Sequence, residues 1–150
     1  MKNFFITTPI YYVNSEPHIG SVYTTLMADT VNRFKKLNGI KTRFLTGTDE
    51  HGQKIQQSAQ KAGINEKEFV DNISKIFKDV ANFMKFEYDD FIRTTDKRHE
   101  DYVQEIWKKL VKNGWIYKGK YTGWYCVSDA SALAASTSSC ASSSAPHAAI

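Results

Sequence analysis

The sequence predicts an α/β fold built on a parallel sheet, and three observations carry that prediction. An apolar run near the start, Phe4-Phe5-Ile6, is followed by a long helical periodicity and then by a second strand-like run, Thr42 to Leu45. The helix between them is long enough for the crossover that joins two parallel strands. Each strand also runs into a loop carrying histidine, glycine or carboxylate, at the carboxyl ends where an open parallel sheet holds its ligands.

The elements follow in order. Strand one is expected over Asn3 to Ile10, its continuous apolar run reading as a strand buried on both faces, with Pro9 where a missing N–H does least harm. After the loop Tyr11 to Pro17, a helix is expected from His18 to Leu37, with Val22, Leu26, Met27, Val31 and Phe34 recurring at spacings of three to five. Asn38-Gly39 ends it, since glycine tolerates the left-handed conformation just past a helix. Strand two, Thr42 to Leu45, leads into the loop Thr46 to Gly52. A short helix from Gln53 to Lys61 stops near Gly63. Asn65 and Glu68 form a capping box with Asn in place of Ser or Thr, opening a helix with Phe69, Val70, Ile73, Phe77, Val80 and Met84 on one face. Tyr88 to Ile92 reads as a third strand. Asp96 is expected to cap a further helix that turns Val103, Ile106, Trp107, Leu110 and Val111 inward and ends at Asn113-Gly114. Phe77 and Trp107 are both expected in the core. From Ile116 to Val127, aromatic residues with Gly119 and Gly123 suggest short antiparallel strands. Residues 129–150 are nearly all Ala and Ser, too poor in large apolar groups to offset their ordering entropy, and are set aside as a tag, placeholder or disordered end.

Composition sets the class. With 41% hydrophobic and 24% charged residues the chain is an ordinary globular protein. No apolar run approaches the ~18 residues of a membrane span. The start lacks the longer apolar region and cleavage site of a signal peptide, so a cytoplasmic protein is expected. Cys126 and Cys140 have no Cys-x-x-Cys spacing and no paired histidines, and read as reduced thiols. A net charge of +4 permits a nucleic-acid partner without requiring one, because phosphate binding depends on clustered charge. Lys35, Lys36, Lys41 and Arg43 read as a solvated face, as do Lys108, Lys109, Lys112, Lys118 and Lys120.

Two segments carry chemistry. Pro17-His18-Ile19-Gly20-Ser21 follows a strand and opens a helix, where free N–H groups and the helix dipole attract phosphate. A histidine there can donate through one ring nitrogen, and Gly20 lets a base or ribose approach the backbone. The bland alternative is a helix start with a turn glycine. Thr46-Gly47-Thr48-Asp49-Glu50-His51-Gly52 ends strand two and is expected to turn Asp49, Glu50 and His51 toward the same crevice. A carboxylate there can hold an ammonium group; the alternative is an acidic turn capping the helix at Gln53.

Taken together, Tyr11-Tyr12-Val13-Asn14, His18-Ile19-Gly20 and Thr46-Gly47-Thr48-Asp49-Glu50-His51-Gly52 resemble the bacterial-type methionyl-tRNA synthetases, class I aminoacyl-tRNA synthetases. Arg93-Thr94-Thr95-Asp96, Trp107, Gly114, Ile116-Tyr117 and Gly123-Trp124-Tyr125-Cys126 extend the resemblance from Phe4 to about Ser128. It implies a Rossmann-like parallel sheet. Residues 1–114 would be the first half of the nucleotide-binding catalytic domain and 115–128 the start of a connective insertion. It implies ATP-dependent activation of methionine to methionyl-adenylate and transfer to tRNA(Met), with Mg²⁺ accompanying ATP. Catalytic and ATP-binding roles fall on His18 and Ser21, with Gly20 admitting the nucleotide. Methionine would be held by Ile10, Tyr12 and Asp49, with His51 on the adenylate side. Ser21 stands where the family's His-Ile-Gly-His signature has its second histidine, and it cannot carry charge. The Lys-Met-Ser-Lys-Ser signature does not occur in the sequence, so the chain is expected to be a fragment, inactive alone. Zinc would belong to the connective region, and no metal ligands are assigned here. The competing readings are another adenylate-forming nucleotidyltransferase without a tRNA substrate, and an inactive binding fragment.

Overall fold

A computed structural model describes residues 3–119 together with the strands 124–126 and 131–133. The chain divides into two units, 1–104 and 105–150. In the first, β1 (Asn3–Thr7) and β2 (Tyr11–Tyr12) are followed by α1 (Ile19–Leu37) and β3 (Lys41–Asp49). Next come α2 (Gln53–Ala62), α3 (Glu66–Phe83) and β4 (Asp90–Arg93). β3 is the central strand. β1 pairs parallel along its first half, from Asn3 opposite Lys41 to Thr7 opposite Leu45. β2 continues the same edge, with Tyr11 opposite Thr48 and Tyr12 opposite Asp49. β4 lies parallel on the other edge, from Leu45 opposite Asp90 to Thr48 opposite Arg93.

The junction of β1 and β2 is a bulge. From Thr7 to Tyr11 the edge advances four residues while β3 advances three, from Leu45 to Thr48, so one residue is extra. Pro9 lies in it, and Thr8 holds it in place: its N–H donates to Leu45 O (3.2 Å) and its hydroxyl meets that of Thr46 (2.7 Å). Such an insertion bends an edge strand and re-aims the side chains beyond it.

β1 is not buried on both faces. Phe4 lies under the Lys35 ammonium of α1, and Ile6 pairs with Phe44, which is fully buried. On the opposite face Asn3, Phe5, Thr7, Lys41 and Arg43 are exposed. A run of apolar residues marks a strand, but only a helix on each side buries both faces, and α1 and α3 cover the same one. Tyr11, for example, stacks on Phe77 of α3 and bonds Thr25 of α1.

α1 meets the sheet through Ser21, Thr25, Ala28, Asp29 and Asn32, while Tyr23, Leu26, Met27 and Phe34 look outward. Most of its buried polar groups are paired, though Asn32 Oδ1 has no partner among the described residues. Asp29 accepts from Arg33 Nε (2.6 Å) and Glu87 N–H (2.8 Å), and Asn32 Nδ2 donates to Glu87 O (3.1 Å). These bonds compensate burial that would otherwise be costly. α2 ends at Gly63 in the left-handed conformation (φ 70°). Asn65 caps α3, its Oδ1 accepting from Glu68 N–H at 2.8 Å. Val13, Ile55, Val70 and Phe77 form the core, with Tyr11, Tyr12, Ile73 and Phe91 packed against it.

α4 (Lys97–Lys112) has no buried residue. Val103, Ile106, Leu110 and Val111 are exposed, and Trp107, expected in the core, is 58% exposed. The periodicity marks an apolar face, and Trp107 and Val111 on it line an open pocket with Ile116 and Tyr117. Asp96 accepts His99 N–H through its backbone oxygen (2.8 Å), while its carboxylate turns back to Arg93 N–H (3.3 Å). The side chain is therefore not the cap. In the second unit β5 (Trp124–Cys126) pairs antiparallel with β6 (Ser131–Leu133). β6 lies within the Ala/Ser-rich stretch that composition set aside.

Candidate functional site

The first chemistry-bearing loop ends in a histidine cap. His18 precedes α1 in extended conformation, and its Nδ1 accepts from Gly20 N–H at 3.0 Å. An accepting Nδ1 leaves the ring proton on Nε2. The exposed ring therefore offers a donor beside the helix N-terminus, where negative charge is favoured. Glycine at position 20 has a local reason: a Cβ there would stand 2.8 Å from His18 Cε1, so only glycine lets the imidazole fold onto the helix start. Ser21 is buried on the inner side of α1 and lines a small cavity of about 20 Å³ with Tyr11, Thr25 and Phe77. Its carbonyl accepts from the Tyr11 hydroxyl at 3.1 Å.

Tyr11 and Tyr12 join the two loops. Tyr11 reaches the first turn of α1, and Tyr12 lies beside Asp49 in the sheet. Alternation along the strand places Tyr12 and Asp49 on the face opposite Tyr11 and Thr48. Gly52 closes the second loop at φ 124°, ψ 160°, a region essentially restricted to glycine. A Cβ at Gly52 would stand 2.4 Å from the Tyr12 hydroxyl oxygen.

Glu50 does not share Asp49's orientation, contrary to the expectation that Asp49, Glu50 and His51 face one crevice. The alternation turns Glu50 inward, where its side chain is fully buried. Its Oε1 accepts from Thr48 Oγ1 (2.7 Å) and Arg93 Nε (2.7 Å), and its Oε2 from Arg93 Nη2 (2.9 Å) and from the Thr95 hydroxyl. Arg93 also reaches Asp71 of α3 at 2.6 Å. Burial pushes the Glu50 carboxyl up, but the bonds from Arg93, Thr95 and Thr48 together hold it below the usual carboxylate range. The hydrogen bond from Lys67, followed by that from Arg93, lowers the Asp71 carboxyl. Arg93 is raised, chiefly by its bond to Glu50. This bidentate pair is a structural clamp joining the ends of β3 and β4.

Asp49 stands apart from that network. It is half-buried, and among the described residues no side-chain partner holds its carboxylate. His51 is exposed and its Nε2–H donates to Thr94 O at 3.3 Å, leaving Nδ1 as an acceptor. It lines a pocket of about 370 Å³ with Glu50, Gly52, Gln56, Lys67 and Thr95, so of the three expected to share a crevice Glu50 and His51 do, and neither Asp49 nor Tyr12 lines that pocket. The structure thus joins His18 with Gly20 and Tyr12 with Asp49. It turns Ser21 inward, leaves Ile10 exposed at 41% before β2, and sets His51 at a neighbouring opening. Residues 93–95 matter more than their sequence suggested. In the sequence they entered only as a further match to the family pattern, with no role attached.

The family model for class I (M) tRNA synthetases matches residues 4–149. The chain belongs to this family. Among its class I relatives is the methionine–tRNA ligase of Thermotoga maritima, 56% identical over 124 residues that cover 83% of this chain and 20% of that protein. The probable mitochondrial methionine–tRNA ligase of Dictyostelium discoideum is 48% identical over 132 residues, 88% of this chain and 23% of that protein. A solved Mycobacterium tuberculosis methionyl-tRNA synthetase in complex with methionyl-adenylate superposes with a TM-score of 0.86 at 39% identity, over 91% of this chain and 27% of that one. The parallel α/β sheet is thus the class I synthetase fold. The chain spans roughly a fifth to a quarter of these relatives' length.

Proposed function

We propose that the protein carrying this chain is a methionine–tRNA ligase, activating methionine with ATP and passing it to tRNA(Met). The observation that carries this reading is Asp49: a half-buried carboxylate at the carboxyl end of the central strand, beside Tyr12, without a side-chain partner among the described residues. Its neighbour Glu50 is fully engaged, so of the two carboxylates it is Asp49 that remains for a ligand ammonium. Held there, methionine directs its carboxylate at the α-phosphate of ATP, releasing pyrophosphate and leaving methionyl-adenylate. The terminal adenosine hydroxyl of the tRNA then takes the methionyl group.

His18 Nε2–H and the first turn of α1 stabilise charge on the phosphates, a positioning and electrostatic task with little covalent chemistry. We assign Ser21 to seating the helix start, because its side chain lies inward, so the phosphate contact falls to His18 and the Gly20 backbone. Ile10 and Tyr12 wall the thioether, a soft group suited to aromatic contact. His51 serves the adenylate side through its accepting Nδ1. Among the described residues no group of three or more His, Cys, Asp or Glu is placed to hold a metal ion. Mg²⁺ would accompany ATP, held mainly by its phosphates. The connective region to which zinc was assigned lies largely outside the described residues. We keep residues 1–114 as the nucleotide-binding half and 115–128 as the start of that region. Among the described residues no helix is long and apolar enough to cross a membrane, and we place the protein in the cytoplasm.

Methionine-dependent pyrophosphate exchange tests this in the protein at its relatives' length. Asp49→Ala should raise the methionine KM about a hundredfold, as loss of a charged hydrogen bond of about 2–3 kcal/mol does, and leave the ATP KM within about twofold. An unchanged methionine KM, or exchange supported by another acid in place of methionine, would overturn it.

A further inference from the structure

We infer that Thr94 is a positioning residue for the ammonium-binding carboxylate, fixing the backbone on both sides of Asp49; this rests on the function proposed above. The pairing of β3 with β4 ends at Thr48 opposite Arg93. One residue further, Thr94 carries the contact on with both its backbone and its side chain. Its N–H donates to Thr48 O at 3.2 Å, and its hydroxyl oxygen accepts from Glu50 N–H at 2.8 Å. The peptide before Asp49 is therefore held at its carbonyl, and the peptide after it at its N–H. From the other edge, Val13 N–H donates to Asp49 O at 3.4 Å.

Asp49 thus has pinned peptide planes on either side and only its side-chain torsions left free. The side-chain acceptor is what β4 cannot supply with its backbone, since the chain leaves the strand at Thr94 and turns toward α4. Thr94 is 7% exposed, so water cannot readily replace its oxygen. Removing that oxygen leaves Glu50 N–H without its partner and lets the 49–50 peptide rotate, which redirects the Asp49 carboxylate. His51 bonds the Thr94 backbone oxygen, which a side-chain substitution leaves in place. The effect should therefore fall on methionine and spare ATP.

The test compares Thr94→Val, which keeps the shape and removes the acceptor, with Thr94→Ser, which keeps the acceptor, in methionine-dependent pyrophosphate exchange at the relatives' length. We expect Thr94→Val to raise the methionine KM about tenfold with the ATP KM unchanged, and Thr94→Ser to stay within about twofold of the parent. A merely destabilising change would lower the active fraction and the maximal rate and leave the methionine KM alone. Should Thr94→Val not fold, Thr94→Ala also lacks the acceptor and carries the same measurement. An unchanged methionine KM in the variant, or an equal rise in Thr94→Ser, overturns the inference while the parent's methionine-dependent exchange keeps the function. A parent without methionine-dependent exchange overturns both.

Discussion

Replacing Arg93 with methionine should strand a buried charge. Arg93 is 18% exposed at its side chain and faces Glu50, whose side chain is 0% exposed, through two bonds of 2.7 and 2.9 Å. Methionine fills similar volume without the guanidinium. Thr48 and Thr95 still donate, but burial then acts on an unpaired carboxylate. Breaking one side of such a pair costs about 3–5 kcal/mol. At an m-value of about 2 kcal/mol/M in urea, the midpoint should fall by roughly 1.5–2.5 M, read by far-ultraviolet dichroism on the 150-residue chain. The pH dependence sharpens the test. In the parent the Glu50 carboxyl lies below its ordinary value of 4.5, so its contribution is present above that pH and lost as the pH falls through the folded value. In Arg93→Met, burial raises the carboxyl above its unfolded value. Folding then favours the protonated form, and stability rises as the pH is lowered from 7. The double variant Glu50→Gln/Arg93→Met removes the charge and should recover part of the loss. A cost under about 1 kcal/mol, or a pH dependence of the same sign in parent and Arg93→Met, would refute the reasoning.

Gly52→Ala should cost about 1–3 kcal/mol from its backbone conformation alone, and more from the displaced Tyr12 hydroxyl, lowering the thermal midpoint and weakening methionine binding by calorimetry. A midpoint within 1 °C of the parent (about 0.3 kcal/mol or less) would show that the loop adapts freely. His18→Asn separates two roles: asparagine is a good N-cap, so stability should hold, while loss of the Nε2 donor should slow adenylate formation about 10²-fold or more. A variant that keeps its rate would remove the phosphate role.

Legibility in the sequence followed the range of the physics. Local signals were read well. Asn65 with Glu68, Gly63 and the Asn38-Gly39 stop all end or begin helices through contacts within a few residues. Patterns that depend on what lies opposite were read less well. The outward Leu26, Met27 and Phe34 and the inward Asp29 and Asn32 reverse the usual assignment, because the distant Glu87 supplies the bonds that let a polar face be buried. Trp107 and its neighbours are apolar at helical spacing, but spacing does not say what packs against them. At the site, Asp49 and His18 were visible as residue types in a suggestive place. That Glu50 turns inward follows from strand alternation continuing one residue past β3. That Arg93 meets it depends on a parallel register between residues 43 apart, which no local pattern encodes.

The extra residue between β1 and β2 has a consequence for what length changes the chain can tolerate. Phe4, Ile6 and Thr8 face the helices, yet Tyr11 does too, so the side-chain parity changes across Pro9. Deleting the one residue between Thr8 and Ile10 would restore even alternation and leave Tyr11 opposite Thr48 and Tyr12 opposite Asp49, each on its present face. Removing two residues would instead reverse the parity beyond Thr8, turning Tyr12 into the helix layer and Tyr11 to the face of Asp49. The count of residues there, odd or even, is thus inherited as information in its own right, independent of which residues they are.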